Sequence, residues 1–439
     1  MTEINDLEQA LVLAAADADS RNYEGSFEES EETNVLCKEP AFYKNVNEVK
    51  NIVIEKPATI NNRPQENAPL KRKRETVEEN IEAKSTKTYA NVVANHYNQI
   101  EEKGLDERCK SRIVHLRNFH NWIKSMLINE YLTKIKYSKK QHNAPIRVHD
   151  MCCGKGGDLL KWKKGGITHL ICSDIASVSL EQCKARYKDM KNRSGRDRGP
   201  PLYTIEFIAG DCGRMRLREK YSDPSMKLDL VSCQFAFHYS FESLPQAECM
   251  FRNAAECLQP GGYFIGTMPD AYDLVARAKR NDSNSFGNNV FQVSIDFDIN
   301  KPPLFGSKYN FHLDGVVDCP EFLVYFPMFV KLAKKFGLKL VKAEKFYDYF
   351  EKMREEGRHL LNNMRSLEAY PPPENSTLVG TEPDDYNHAV EFIRKDPRGN
   401  IRIGTLSKSE WEASSLYTTF VFEKVKNTWN TDGTPLYDI

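Results

Sequence analysis

The sequence predicts an α/β fold, a doubly wound and mainly parallel sheet that follows a disordered N-terminal arm. Three observations carry this reading. Short apolar runs alternate with helical stretches from residue 146 to residue 267, the pattern of parallel strands joined by crossover helices. The first run (Ile146, Val148) leads into Asp150 and opens on a glycine-rich turn at Gly154, Gly156 and Gly157. The composition also shifts near Tyr89. Residues 1–88 are first acidic, then rich in Asn, Pro, Glu and Lys, with too few apolar residues to offset the entropy of ordering.

Order is expected from residue 89. Residues 89–136 carry helical spacing through Val92, Val93 and Tyr97, then Ile113, Leu116, Phe119, Trp122, Ile123, Met126 and Leu127. Asn121 and Lys124, three apart, share one helix face. Strands are expected at 146–150, 168–174, 203–211, 228–235 and 262–267, with helices near 158–164, 177–191, 213–220 and 243–258. Pro260-Gly261-Gly262 is expected to stop the last helix and turn into the fifth strand. Beyond Thr267 a helix is expected near 270–280, then an irregular stretch to about 310. Strands follow at 309–313 and 321–326, helices at 327–336 and 345–369, and a final strand at 415–424. Residues 371–404 read as an insertion with one helix near 384–394, and 426–439 as a loose tail. The ordered domain is therefore 89–425.

Strand, glycine turn, helix, strand and a terminal acid (Asp174) form the layout of a nucleotide-binding βαβ unit. The dinucleotide pattern fails, because the sixth residue counted from Gly154 is Leu159 rather than glycine. The phosphate-loop pattern fails too: Gly154-Lys155 is followed by Gly and lacks the upstream glycine. An acid four residues ahead of the turn fits S-adenosylmethionine-dependent methyltransferases, with Asp174 able to accept from both hydroxyls of a ribose. An ordinary strand-to-helix turn is the competing reading. In such sheets ligands sit at the carboxyl ends of the strands. That placement makes Asp150, Asp174, Asp211, Gln234 and His238-Tyr239 converge. Each alone has a plainer reading, as a helix cap or a satisfied core residue.

Composition narrows the partners. The 439 residues carry no net charge, yet 101–200 holds 22 Lys/Arg against 11 Asp/Glu, and 1–40 holds 2 against 11. A basic half-domain beside the ligand turn suits a polyanion, or is a solvated lysine-rich face. Lys71-Arg72-Lys73-Arg74, in the expected arm, reads as a nuclear localisation signal. Eleven cysteines without a C-x-x-C pair argue for a reducing compartment and against a zinc site or disulfide framework. No apolar run approaches the roughly 18–20 residues that span a bilayer, so no membrane role is expected. Ala10–Ala16 is not read as a secretory core, because Glu3, Asp6 and Glu8 precede it.

From about Val92 to Lys424 the chain resembles the eukaryotic mRNA cap (guanine-N7) methyltransferases. The resemblance rests on Leu116-Arg-Asn-Phe, Gly154-Lys-Gly-Gly-Asp-Leu-Leu-Lys-Trp-Lys-Lys-Gly, Cys233-Gln-Phe and His238-Tyr-Ser-Phe-Glu-Ser. It continues in Pro260-Gly-Gly-Tyr-Phe-Ile-Gly-Thr, Pro320-Glu-Phe-Leu-Val-Tyr-Phe-Pro and Leu406-Ser-Lys-Ser-Glu-Trp-Glu-Ala. It implies methyl transfer from S-adenosyl-L-methionine to N7 of the guanine cap of pre-mRNA; the basic cluster at 71–74 and the cysteine pattern add the expectations of a nuclear location and no metal. By the same resemblance Lys124, Cys152, Gly154, Asp174, Asp211, Gln234 and Tyr239 contact the donor. His120, Asn121, Lys155, Lys161, Arg186, His238, Glu321 and Tyr417 line the cap site. It further suggests a small activating subunit docked on 371–404, and recruitment of the transcription machinery by the arm.

Two residues depart from the family pattern. Cys152 stands where the family has glycine and is expected to crowd the donor. His120 stands where an asparagine is usual. The implied chemistry is in-line displacement at a sulfonium methyl. The N7 lone pair needs no deprotonation, so no general base is expected, and catalysis rests on alignment at ~3–3.5 Å. Two rival readings are a capped-RNA binder with a weakened donor pocket and a methyltransferase of another substrate.

Overall fold

The computed structural model describes residues 35–36, 89–100, 109–139, 141, 144–194, 201–281, 283–397, 401–430, 434 and 436. The expected disordered arm and its basic cluster at 71–74 lie outside these, apart from Val35–Leu36 (β1). Among the described residues two helices precede the sheet, Tyr89–Gln99 (α1) and Val114–Ser138 (α2). The apolar spacing of α2 buries Leu116, Phe119, Trp122, Ile123, Met126 and Leu127 on one side, as three- and four-residue steps require.

Five parallel strands follow: Arg147–Met151 (β2), His169–Asp174 (β3), Thr204–Ala209 (β4), Leu228–Gln234 (β5) and Leu258–Pro269 (β6). Ser285–Gly287 (β7), Phe291–Ile295 (β8), Lys308–Leu313 (β9) and Val317–Phe322 (β10) form a separate antiparallel sheet in the order β10-β9-β8-β7. Leu338–Lys345 (β11), Glu368–Tyr370 (β12), Ile403–Thr405 (β13) and Tyr417–Lys424 (β14) complete the strands. The central sheet has seven strands in the order β11-β14-β6-β5-β2-β3-β4. It is parallel except around β14, which runs antiparallel to β6 and β11. The order reverses between β2 and β5, and there the strand ends open a crevice. Val148, Leu170 and Cys172 enter one core cluster while Met151 and Ile171 enter the other. Alternate residues of a strand face opposite sides, so each face of the sheet has its own core. The doubly wound α/β expectation is met.

Several elements differ from expectation. The helix expected at 243–258 ends at Ala255, and Pro260-Gly-Gly lies inside β6 rather than after a helix. There the ladder jumps from Leu228↔Leu258 to Leu230↔Tyr263, a bulge that absorbs the proline. The helix expected at 213–220 contracts to a 3-10 turn, Leu217–Lys220. The single helix expected at 345–369 is Phe346–Met353, then Arg358–Asn363, then β12. It breaks at Gly357, where a Cβ would fall 2.5 Å from Cζ2 of Trp122; the indole Nε1 donates to the Gly357 carbonyl at 3.0 Å. β11 went unforeseen because it is an edge strand whose sequence is interrupted by Lys339, Lys342 and Lys345; lysines are common on edge strands as a guard against further pairing. β7 and β8 lie in the stretch expected to be irregular, and β10 starts four residues earlier than expected. Residues 371–404 hold one helix, Asn387–Lys395, near the expected place. The start of the expected loose tail is packed: Thr428 is buried, and the Trp429 ring lies 5.4 Å from the guanidinium groups of both Arg216 and Arg252.

Candidate active site

Two adjoining cavities open where the strand order reverses. The first, of 750 Å³, lies over the ends of β2, β3 and β5 and contains all seven residues expected to hold the donor. Gly154 sits at φ +53°, and a Cβ there would meet nothing within 4 Å, so it would stand in the cavity itself. The Gly154 amide donates to Asp174 Oδ2 at 2.7 Å, and the Ala176 amide to Oδ1 at 2.8 Å. Asp174 thus pins the turn to the end of β3 as well as facing the cavity, and burial raises its pKa. Asp211 accepts from the Gly213 amide at 2.8 Å and is likewise raised by burial. Gln234 is oriented by Ser232 Oγ (3.0 Å) and Thr267 Oγ1 (3.1 Å). Asp150 is buried at the end of β2 but still lines this cavity. It accepts from Trp162 Nε1 at 3.1 Å, and burial followed by the charge of Asp158 pushes its pKa well up. It therefore braces the turn.

Cys152 adopts φ +58°, the conformation a glycine would take. Its thiol packs beside those of Cys212 and Cys233. The expected crowding is thereby reduced: the side chain lines the cavity but rests on the core beneath it.

The second cavity, of 1210 Å³, shares several lining residues with the first, among them Tyr97, Lys124, Arg186, Phe235 and Tyr239. It holds seven of the eight residues expected at the cap site: His120, Asn121, Lys161, Arg186, His238, Glu321 and Tyr417. Lys155 is the exception. It lines the first cavity instead, where its Nζ donates to the Ile100 carbonyl at 3.0 Å. The position after Gly154 turns it toward the end of α1, ahead of the helix Leu159–Lys164 (α3).

Glu321 is buried at the end of β10, with Oε2 accepting from Tyr309 at 2.8 Å and Oε1 3.4 Å from the Tyr239 hydroxyl. His238 Nε2 lies 3.3 Å from the same Oε1, but out of hydrogen-bonding alignment. Both buried ring nitrogens of His238 therefore lack a hydrogen-bond partner among the described residues. Buried polar atoms are almost always satisfied, so the ring is set for a ligand. Beside it His120 stacks on Phe235 (5.5 Å), with Tyr417 edge-on to both (5.2 and 5.1 Å). Burial, then nearby Lys124, lowers the His120 pKa to about 3, so the ring is neutral. It serves mainly as a stacked plane, with Nε2 3.2 Å from Ser414 Oγ.

Three residues escaped the sequence reading. Asp158 bridges Lys124 (2.9 Å) and Lys161 (2.7 Å). Burial opposes its charge, but the two ammonium groups more than offset that and lower its pKa. Lys161 in turn donates to Asn121 Oδ1 at 2.5 Å. Tyr97 places its hydroxyl 3.1 Å from that of Tyr239. Phe235 takes φ +57°, which a bulky residue adopts only under constraint. Asp158 and Phe235 stood inside blocks already singled out, but nothing in the spacing of α1 distinguished Tyr97 from a core residue.

A family model described as mRNA (guanine-N(7))-methyltransferase domain matches residues 80–425. The chain belongs to this family. An mRNA cap guanine-N(7) methyltransferase of Drosophila melanogaster is 53% identical over 361 residues, covering 81% of this chain and 82% of the relative. One of Caenorhabditis elegans is 40% identical (76% and 87% covered), and one of Schizosaccharomyces pombe 34% (76% and 82%). The expectation of an S-adenosylmethionine-dependent methyltransferase of the Rossmann-like type is met. Among the described residues no helix is long and apolar enough to cross a membrane.

Proposed function

We propose that this protein methylates N7 of the guanine cap of pre-mRNA, with S-adenosyl-L-methionine as donor. The observation that carries it is the pairing of the two cavities across Tyr239 and Phe235. One is floored by the glycine turn and strand-end carboxylates, and the other is walled by Glu321, His238 and stacked rings. The donor set fits the first cavity: two carboxylates for hydroxyl and amino groups, a turn without side-chain bulk at Gly154, and aromatic walls. When bound there, S-adenosylmethionine supplies an electrophilic methyl on a sulfonium.

This chain's residues do the rest. Glu321 accepts from the guanine N1–H and amino group, and its charge favours the cationic purine as N7 becomes alkylated. His238 offers a ring nitrogen to the base edge. His120, Phe235 and Tyr417 supply apolar planes, and Lys161 and Arg186 meet the triphosphate. No group has to remove a proton, so alignment is the protein's main contribution.

The test is to incubate the chain with methyl-labelled donor and RNA ending in unmethylated GpppN, then digest. Labelled 7-methylguanosine supports the reading; label elsewhere, or none, rejects it. The same reading puts the protein in the nucleus through 71–74, with a small activating subunit on 371–404 and the transcription machinery on the arm. A reporter fused to 1–88 that stays cytoplasmic would remove the first of these, and the absence of co-purifying partners the others.

A further inference from the structure

Cysteines far apart in sequence meet behind the glycine turn. Cys153, Cys172 and Cys183 come from the turn, from β3 and from the helix Ser177–Ser194, and their sulfurs all lie within 4.8 Å of one another. Their sequence separations follow no ligand motif, so only the fold assembles them. Cys172 and Cys183 are buried, while Cys153 is half-buried and lines the donor cavity. The turn rests directly on the trio: a Cβ at Gly156 would fall 2.6 Å from Cys183 Sγ.

We propose that Cys153, Cys172 and Cys183 form a three-thiolate site for a zinc(II) ion, with a fourth position open toward the donor cavity. Three converging sulfurs are a soft donor set, which selects zinc or copper(I) among common metal ions. Charge decides between them. Three thiolates leave a net −1 around zinc(II) but −2 around copper(I), and burying the larger charge costs more. Zinc–sulfur bonds of about 2.3 Å place tetrahedral sulfurs nearly 4 Å apart, so the trio closes by small side-chain rotations. No fourth His, Cys, Asp or Glu joins the group among the described residues, and a water from the cavity beside Cys153 fills that position. Binding releases the thiol protons to solvent and changes no oxidation state.

The test uses cobalt(II) as the spectroscopic stand-in, titrated anaerobically into the reduced full-length chain. The expected result is one cobalt per chain, a thiolate-to-cobalt charge-transfer band with tetrahedral ligand-field absorption, and displacement by equimolar zinc. Cys153→Ser, at the half-buried position that best tolerates change, and Cys183→Ser should each lose the band. Circular dichroism checks that each variant remains folded. Cys212→Ser, in the neighbouring trio beneath Cys152, and Cys249→Ser should keep the band. No band in the parent chain, a band that survives both Cys153→Ser and Cys183→Ser, or one lost with Cys212→Ser overturns the proposal.

Discussion

The two cavities share a wall but are built by opposite strategies. The donor cavity is made where consecutive strands end, from backbone amides and short acids. Asp174 and Asp211 each accept from a main-chain N–H two residues onward, and Asp174 also from Gly154. The cap cavity is made of long side chains from α2, α3, β10 and β14, brought together only by the tertiary fold. The donor half therefore stands or falls with the geometry of the turn. The cap half depends on individual charges and rings that can be removed singly.

Asp174→Ala should have the largest effect. It removes the ribose acceptor and also orphans two turn amides, a loss of about 3 kcal/mol or more, hence at least roughly hundredfold in donor affinity. Calorimetric titration with S-adenosylhomocysteine checks this. Unchanged affinity would mean that the turn does not govern the donor half.

Glu321→Gln should come next, costing roughly 1.5–3 kcal/mol for hydrogen bonds to a charged acceptor, or about 10- to 150-fold in kcat/KM. Donor affinity should be nearly unchanged. A loss of donor affinity instead would erase the division of labour between the cavities.

Lys161→Ala should weaken capped-RNA binding severalfold at low salt and less at high salt, lowering the salt slope by about one phosphate contact. A salt-independent loss would make Lys161 a positioning residue, through Asn121 and Asp158, rather than a phosphate ligand.

Cys152→Gly should be smallest, within about twofold in donor affinity. Glycine takes the +58° backbone without strain, but the thiol it removes already rests on the core. A tenfold gain would show that Cys152 crowds the cavity after all.

The same contrast explains what could be read from the sequence. The sheet, its turn and Asp174, Asp211 and Gln234 were legible because each sits at a fixed offset within a local βαβ pattern. Glu321 and Tyr417 carry no such offset. They lie some two hundred residues or more from α2 in sequence, and only the family resemblance pointed to them. Lys155 shows a related limit. Its neighbours place it in the right motif, but the turn conformation decides which way it points. β11 was hidden by its edge lysines, and the break at Gly357 by a contact with Trp122, which no periodicity encodes. Asp158 looked like the start of a helix, and its role appears only once Lys124 and Lys161 are folded against it.

Tyr239 and Phe235 form part of a partition between the two cavities, with Lys124 and Arg186 also lining both sides. A single inhibitor can therefore occupy both at once. A nucleoside amino acid joined through a short uncharged linker to N7 of a guanine would combine two modest affinities at high effective concentration. Its linker must match the separation of the reacting atoms, about 3–3.5 Å, so one or two bridging atoms suffice and longer ones forfeit the gain. Enzymes that bind the same donor but lack the Glu321–His238 pocket would gain nothing from its second half. Selectivity would then come from the shared wall rather than from the donor fold common to all of them.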